Sequence, residues 1–212
     1  MKTDELISVL AAGAAPVSPS AARRKLLLGL LIGMLGAAAL VFSLLPPRHL
    51  IHAAGTGPFW MKVGYSFWLG VGGLLLVDRA ARPGVKAGAG TYVVGAGLAA
   101  IAVLAVMNMI FMPFDHWRAA WIGRSSLLCP IAIPIAAVPI FIAVCVAMRG
   151  LAPTRLRWAG AAAGLLAGGM AATLYALWCR EPAAMFVATW YTLGIGICAG
   201  IGALLGPKIL RW

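Results

Sequence analysis

Acidic residues are almost missing from this sequence. Asp and Glu together number 5 in 212 residues, and charged residues of both signs make up 10%. Ordinary globular chains are about 25% charged and about 45–50% apolar. Here the apolar share is 63% and the mean hydropathy +0.98, which leaves too little polar surface to keep a soluble domain of this size in solution. Other absences narrow the field further. The 4 cysteines include no Cys-x-x-Cys pair, which counts against a dithiol oxidoreductase. The middles of the apolar runs hold almost no ionisable side chain, with Asn108 the main polar exception. Pumps and transporters place such groups at mid-membrane depth, so ion or proton transport is poorly served. The glycine-rich end is no nucleotide loop either, since Ala199 stands where GxGxxG needs its last glycine and no strand precedes it.

Long apolar runs are what the sequence does have. Six stand out: Leu26–Leu45, Phe59–Val77, Thr91–Phe111, Leu128–Met148, Trp158–Trp178 and Met185–Leu205. A helix needs about 20 apolar residues to cross a bilayer. The expected fold is therefore an all-α polytopic membrane bundle of about six transmembrane helices over residues 26–212, preceded by a segment at 1–25. Lys62 lies near the start of the second run and is expected to snorkel to the interface, while Asp78 and Arg79 close that run. Arg23-Arg24 ahead of an apolar stretch also suits an export signal, but a run of about 20 residues exceeds the 7–15 of a signal peptide. It is read as a retained span.

Orientation follows from where Lys and Arg fall, because cytoplasmic loops carry the excess. Lys2, Arg23, Arg24, Lys25, Arg79, Arg82, Lys86, Arg149, Arg155, Arg157, Lys208 and Arg211 fall on one side, and Arg48, Lys62, Arg118, Arg124 and Arg180 on the other. The first set is placed inside, with both termini. The formal charge of +12 then reflects topology rather than direct nucleic-acid binding. His49, His52 and His116 fall outside, and Trp60, Trp117, Trp121, Trp178 and Trp190 form an aromatic belt near the outer boundary. In the last run Gly194, Gly196, Gly200, Gly202 and Gly206 include two pairs at i,i+4. Such spacing lets helix backbones approach closely.

With so little chain outside the spans, chemistry has few places to sit. Cys145 and Cys198 lie within spans and read as small buried apolar side chains. Cys129 and Cys179 both fall at the outer boundary. Two thiols at one face can pair, bind a soft metal, react with an oxidant or simply pack. Cys129 precedes Pro130, a helix-start signal, and a helix N-terminus favours the thiolate. Cys129 is accordingly expected to be the more reactive of the two. Pro134 and Pro139 each remove an internal hydrogen bond from the same helix and bend it. His49, His52, Asp115, His116 and several methionines lie in the outer loops, and His116 with Cys129 and Cys179 is a possible ligand set. No closely spaced group of four ligands is present, as a structural zinc site would require. At the other face, Thr3 can cap a helix whose first turn holds Asp4 and Glu5. Leu6, Ile7, Val9 and Leu10 give that helix an apolar stripe. About ten residues are marginal as an isolated helix, so this one gains order in a partner's groove or on the membrane surface.

The opening Met1-Lys2-Thr3-Asp4-Glu5-Leu6-Ile7 resembles the start of the NrsF family, six-span anti-sigma factors of proteobacteria. So do Leu177-Trp178-Cys179-Arg180-Glu181, the run Phe186 to Ile195, and Cys129-Pro130. The likeness covers essentially the whole chain. It departs from the family pattern at Trp178 and Pro182, where a histidine and an acid are expected. The resemblance implies a non-enzymatic, cofactor-free negative regulator in the bacterial inner membrane. Its partner would be an extracytoplasmic-function sigma factor, held through the cytoplasmic part, here Asp4, Glu5, Leu6, Ile7 and Leu10. It also implies release under heavy-metal or oxidative stress through Cys129 and Cys179. The competing readings are a membrane thiol oxidoreductase working with a quinone and a small transporter.

Overall fold

A computed structural model describes residues 3, 5, 8, 19–44, 55–82, 88–151 and 153–211. Asp4, Leu6, Ile7 and Leu10, like His49 and His52, lie outside the described residues. Thr3, Glu5 and Ser8 are helical and exposed, and the Ser8 hydroxyl donates to the Glu5 carbonyl at 2.8 Å. Among the described residues the chain contains no strand. Its helices are α1 (Pro19–Leu44), α2 (Gly57–Ala80), α3 (Ala89–Phe111), the short α4 (Phe114–Ile122), α5 (Cys129–Arg149), α6 (Leu156–Tyr175) and α7 (Ala184–Ile209). A π turn, Val187–Tyr191, interrupts α7 near its start.

Helices α1, α2, α3, α5 and α7 are long and apolar enough to cross a membrane. The fifth predicted span, α6, is of another kind. It has 20 residues rich in Gly and Ala, which lowers its hydropathy, and most of them are buried. This is the central helix, packed most closely on α7 and α2 and also on α5. The outer helices behave oppositely. On α3 only Gly90, Gly97 and Ile101 are buried, while Val103, Val106 and Ile110 are exposed, Ile110 at 71%. An exposed surface so apolar suits hydrocarbon rather than water.

Glycine explains why α6 can sit so close to its neighbours. A methyl group on Gly160 or Gly164 would run into the backbone carbonyls of Gly202 or Cys198, and one on Gly206 into that of Leu156. On the α2 side, a methyl on Gly73 would lie 2.6 Å from the Leu166 nitrogen. The i,i+4 row Gly160, Gly164 and Gly168 thus meets Cys198, Gly202 and Gly206, a backbone-on-backbone seam of the small-residue type. Only one of the two expected pairs on α7 takes part. Gly196 and Gly200 face open space, because they lie on the opposite side of the helix. A second glycine face joins α1 to α5, where a methyl on Gly33 would lie 2.7 Å from the Ile140 Cα and one on Gly36 3.2 Å from the Pro139 ring. The proline-bent part of α5 is therefore held against α1.

The ends of the bundle differ in chemistry. At one end Arg23 and Arg79 line a common cleft with Asp78, and Arg149 donates to the Ile209 carbonyl at 2.5 Å. Asp78 pairs with Arg82 at 3.3 Å across one helical turn. At the other end lie the starts of α2, α5 and α7, the end of α6, and the α4 loop. Lys62 is there, and it does not snorkel. It is 3% exposed and turned into the bundle, because the Cys179 carbonyl offers it an acceptor inside.

Candidate functional site: a buried thiol pair

The site forms where four helices and two loops converge. Helix α5 contributes Cys129 as its first residue, and Cys179 lies in the loop after the turn 176–178 that ends α6. Both are free thiols, 0% and 8% exposed, and they lie beside each other. The Cys129 thiol also donates to the Tyr175 hydroxyl at 3.6 Å, at the last residue of α6. Ser125 reaches Cys129 from the loop before α5. The Lys62 ammonium donates to the Cys179 carbonyl.

Helix α7 supplies the remaining wall. Its π turn carries hydroxyl side chains that bond back along the helix, Thr189 to the Met185 carbonyl at 2.7 Å and Thr192 to the Val187 carbonyl at 3.5 Å. Such local bonds compete with the regular ladder, and π turns of this kind recur at functional sites. The extra residue turns Tyr191 fully inward, and Thr192 meets the Tyr65 hydroxyl of α2 at 2.6 Å. The Tyr191 hydroxyl faces the Cys179 sulfur without the geometry of a full hydrogen bond, leaving a buried polar atom unsatisfied. Buried polar atoms are rarely left that way.

Glu181 closes the site from above. Its carboxylate accepts the Arg124 backbone N–H at 2.7 Å and the Ser125 hydroxyl at 3.4 Å. Gly123 makes this possible: its φ of 55° suits glycine, and a methyl there would lie 2.7 Å from the carboxylate. A cleft of about 680 Å³ opens over this corner, lined by Ser125, Tyr175, Trp178, Cys179, Arg180 and Glu181 among others. Cys179 lines it and Cys129 lies behind. The belt is knitted to the same end, with Trp190 donating to the Trp121 carbonyl at 2.8 Å and Trp178 edge-on to Phe42 at 4.9 Å.

These contacts act most directly on Cys179. The neighbouring Cys129 thiol, then the Lys62 charge, the Tyr191 hydroxyl and the Glu181 N–H, hold the Cys179 thiol below its ordinary range, although burial pushes it up. The helix-start argument for Cys129 fails for a local reason. Residues 123–128 already form turns, so the Cys129 N–H is bonded to the Ser125 carbonyl at 3.0 Å and the Ile131 and Ala132 N–H groups to that of Leu128. Few free donors remain to favour a thiolate there. His116 is exposed on α4, and among the described residues no three His, Cys, Asp or Glu side chains are grouped to hold a metal ion. Lys62, Tyr175, Tyr191 and Glu181 are members of the site that sequence reading missed. Lys62 carried a physical signal, as a cation inside an apolar run, where charge is costly; Glu181 and Tyr191 stood out only through the stretches that carry the family resemblance.

Comparison with known proteins finds relatives over the whole chain. The probable anti-sigma-F factor NrsF of Azospira oryzae is 40% identical over 213 residues, with 100% of both chains covered. The anti-sigma-F factor NrsF of Caulobacter vibrioides is 38% identical over 220 residues, again with 100% of both covered. No solved structure matches. Residues 10–212 match the family described as "Negative regulator of sigma F", and the chain belongs to that family, NrsF.

Proposed function

We propose that this chain is an anti-sigma factor of the bacterial inner membrane that holds an extracytoplasmic-function sigma factor and releases it when heavy-metal or oxidative stress acts on Cys129 and Cys179. One observation carries the reading: the buried thiol pair and the start of α1 lie at opposite ends of the bundle. Arg23 shares its cleft with Asp78 and Arg79, whereas Cys129 begins the helix that ends at Arg149. A segment entering α1 therefore leaves the bundle on the far side from the thiols. The cationic end is the cytoplasmic one on the positive-inside rule, and six helices cross, α6 included.

The holding part is residues 1–25, whose Leu6, Ile7 and Leu10 enter a groove on the sigma factor with Asp4 and Glu5 at the helix start. Family membership supports a regulatory rather than a catalytic role. At the sensing end, a soft cation binds across the two sulfurs as thiolates. A peroxide instead takes two electrons and two protons from the pair, giving a disulfide, water and the reduced alcohol or a second water. Either event favours a packing of α5 against α6 other than the resting one, and only such a difference can shift the equilibrium.

The test uses the full chain in nanodiscs with the extracytoplasmic-function sigma factor it is proposed to hold. Replacing Leu6 and Leu10 by Asp should weaken binding about a hundredfold, the size expected when apolar anchors of a groove are lost. Undiminished binding would remove the segment from the mechanism.

A further inference from the structure

Lys62 is harder to explain than any other residue at the thiol end. A cation 3% exposed in an otherwise apolar helix is costly unless its charge is met. Its hydrogen bond goes to a neutral acceptor, the Cys179 carbonyl. Among the described residues no carboxylate forms an ion pair with it. Glu181 is within electrostatic reach, but its carboxylate is committed to Arg124 and Ser125. The charged or titratable groups that remain around it are Cys179 and, behind that, Cys129.

We infer that Lys62 is the positioning residue of the thiol pair: it fixes the Cys179 loop through the carbonyl and supplies the positive charge that makes the Cys179 sulfur the nucleophile, with Cys129 as the second thiol. The inference rests on the sensing role proposed above and says which sulfur acts first and why. Every group facing Cys179 fits it. Cys129 from α5 lies against the sulfur, Tyr191 from α7 and the Glu181 N–H approach it, and Tyr175 from α6 lies behind Cys129. Lys62 from α2 is the cation among these buried groups, while Arg180 is exposed. The cleft reaches Cys179 and not Cys129, so access and charge select the same sulfur.

Sensing in cells is not needed for the test. Full-length protein in nanodiscs is alkylated with iodoacetamide, the sulfur displacing iodide, and modification of each cysteine is followed by peptide mass spectrometry from pH 5 to about 10, spanning the ordinary thiol range. In wild type Cys179 should react first. In Lys62→Met, similar in length and uncharged, its rate at neutral pH should fall about tenfold or more, because the thiolate fraction falls by that factor for each unit of upward shift. The rate should recover to the wild-type value at the alkaline end. Lys62→Arg should keep most of the neutral-pH rate. An unchanged profile in Lys62→Met overturns the inference. So does a rate lowered equally at every pH, which would mark a purely structural role. Because the readout is the thiol itself, a positive result alongside normal sigma release in cysteine variants would leave Lys62 in place and remove the sensing role instead.

Discussion

The middle of this bundle and its thiol end are built on opposite principles. In the middle, α6 meets α7 and α2 through glycines, backbone against backbone, with no charged side chain and no room for a methyl. At the thiol end a buried lysine, two thiols and two tyrosines crowd together, and the Tyr191 hydroxyl lacks a full hydrogen bond. Close packing makes the middle stiff, because interiors at crystal-like density tolerate little change of shape. An incompletely satisfied polar cluster is the reverse, since any event that alters its charges or bonds changes its energy sharply. A stiff connector with a reactive end is what transmission across a membrane requires.

Breaking the middle should have the largest effect. Gly160→Val should cost about 3 kcal/mol or more, or prevent folding, since overpacking costs about 1–3 kcal/mol even where side chains can shift, and here the obstacle is backbone. Gly200→Val, on the open face of α7, should stay within about 0.5 kcal/mol. Thermal unfolding in detergent separates the two, and equal losses would deny the seam.

The thiol end should respond to pH where the middle does not. The Cys179 thiol is held below its ordinary range, so its stabilising contribution is complete above that range and is lost as pH falls through the lowered value. Unfolding followed from the ordinary thiol range near pH 9 down to about pH 5 should show this loss in wild type and a flatter curve in Cys179→Ala. Smaller again is the effect of Glu181→Ala, which frees the Arg124 N–H and the Ser125 hydroxyl. It should cost about 1 kcal/mol, a typical net hydrogen-bond contribution, and make Cys179 react faster by loosening the loop above it. Smallest is Arg82→Ala. Its partner Asp78 is partly exposed, and such pairs contribute about 0–1 kcal/mol.

The contrast between the regions also divides what the sequence could say from what it could not. Span positions are legible from apolar runs, because the membrane imposes their length; the observed helices begin and end within four residues of the expected ones, except α1, which starts at Pro19 rather than Leu26. Cys129 and Cys179 fall at one end for the same reason. Partners across helices are another matter. The seam uses Gly160, Gly164 and Gly168, in a helix whose low hydropathy disguised its central place, rather than Gly196 and Gly200, whose spacing is just as good. Nothing in a single chain says which face of a helix meets which neighbour. Lys62 shows the same limit: a lysine near a span end normally reaches for water, and only the fold supplies the carbonyl and thiol that keep it inside. At Cys129 the turns before α5 use up the amides that a bare helix start would offer, which no single-residue rule shows.

The most direct test of the central claim is release itself. Sigma factor bound to the full chain in nanodiscs is followed while cadmium or a peroxide is added, for wild type and for a Cys129→Ser, Cys179→Ser double variant. The account predicts that wild type lets the sigma factor go and the double variant holds it at the unstressed level. Equal release from both would contradict it.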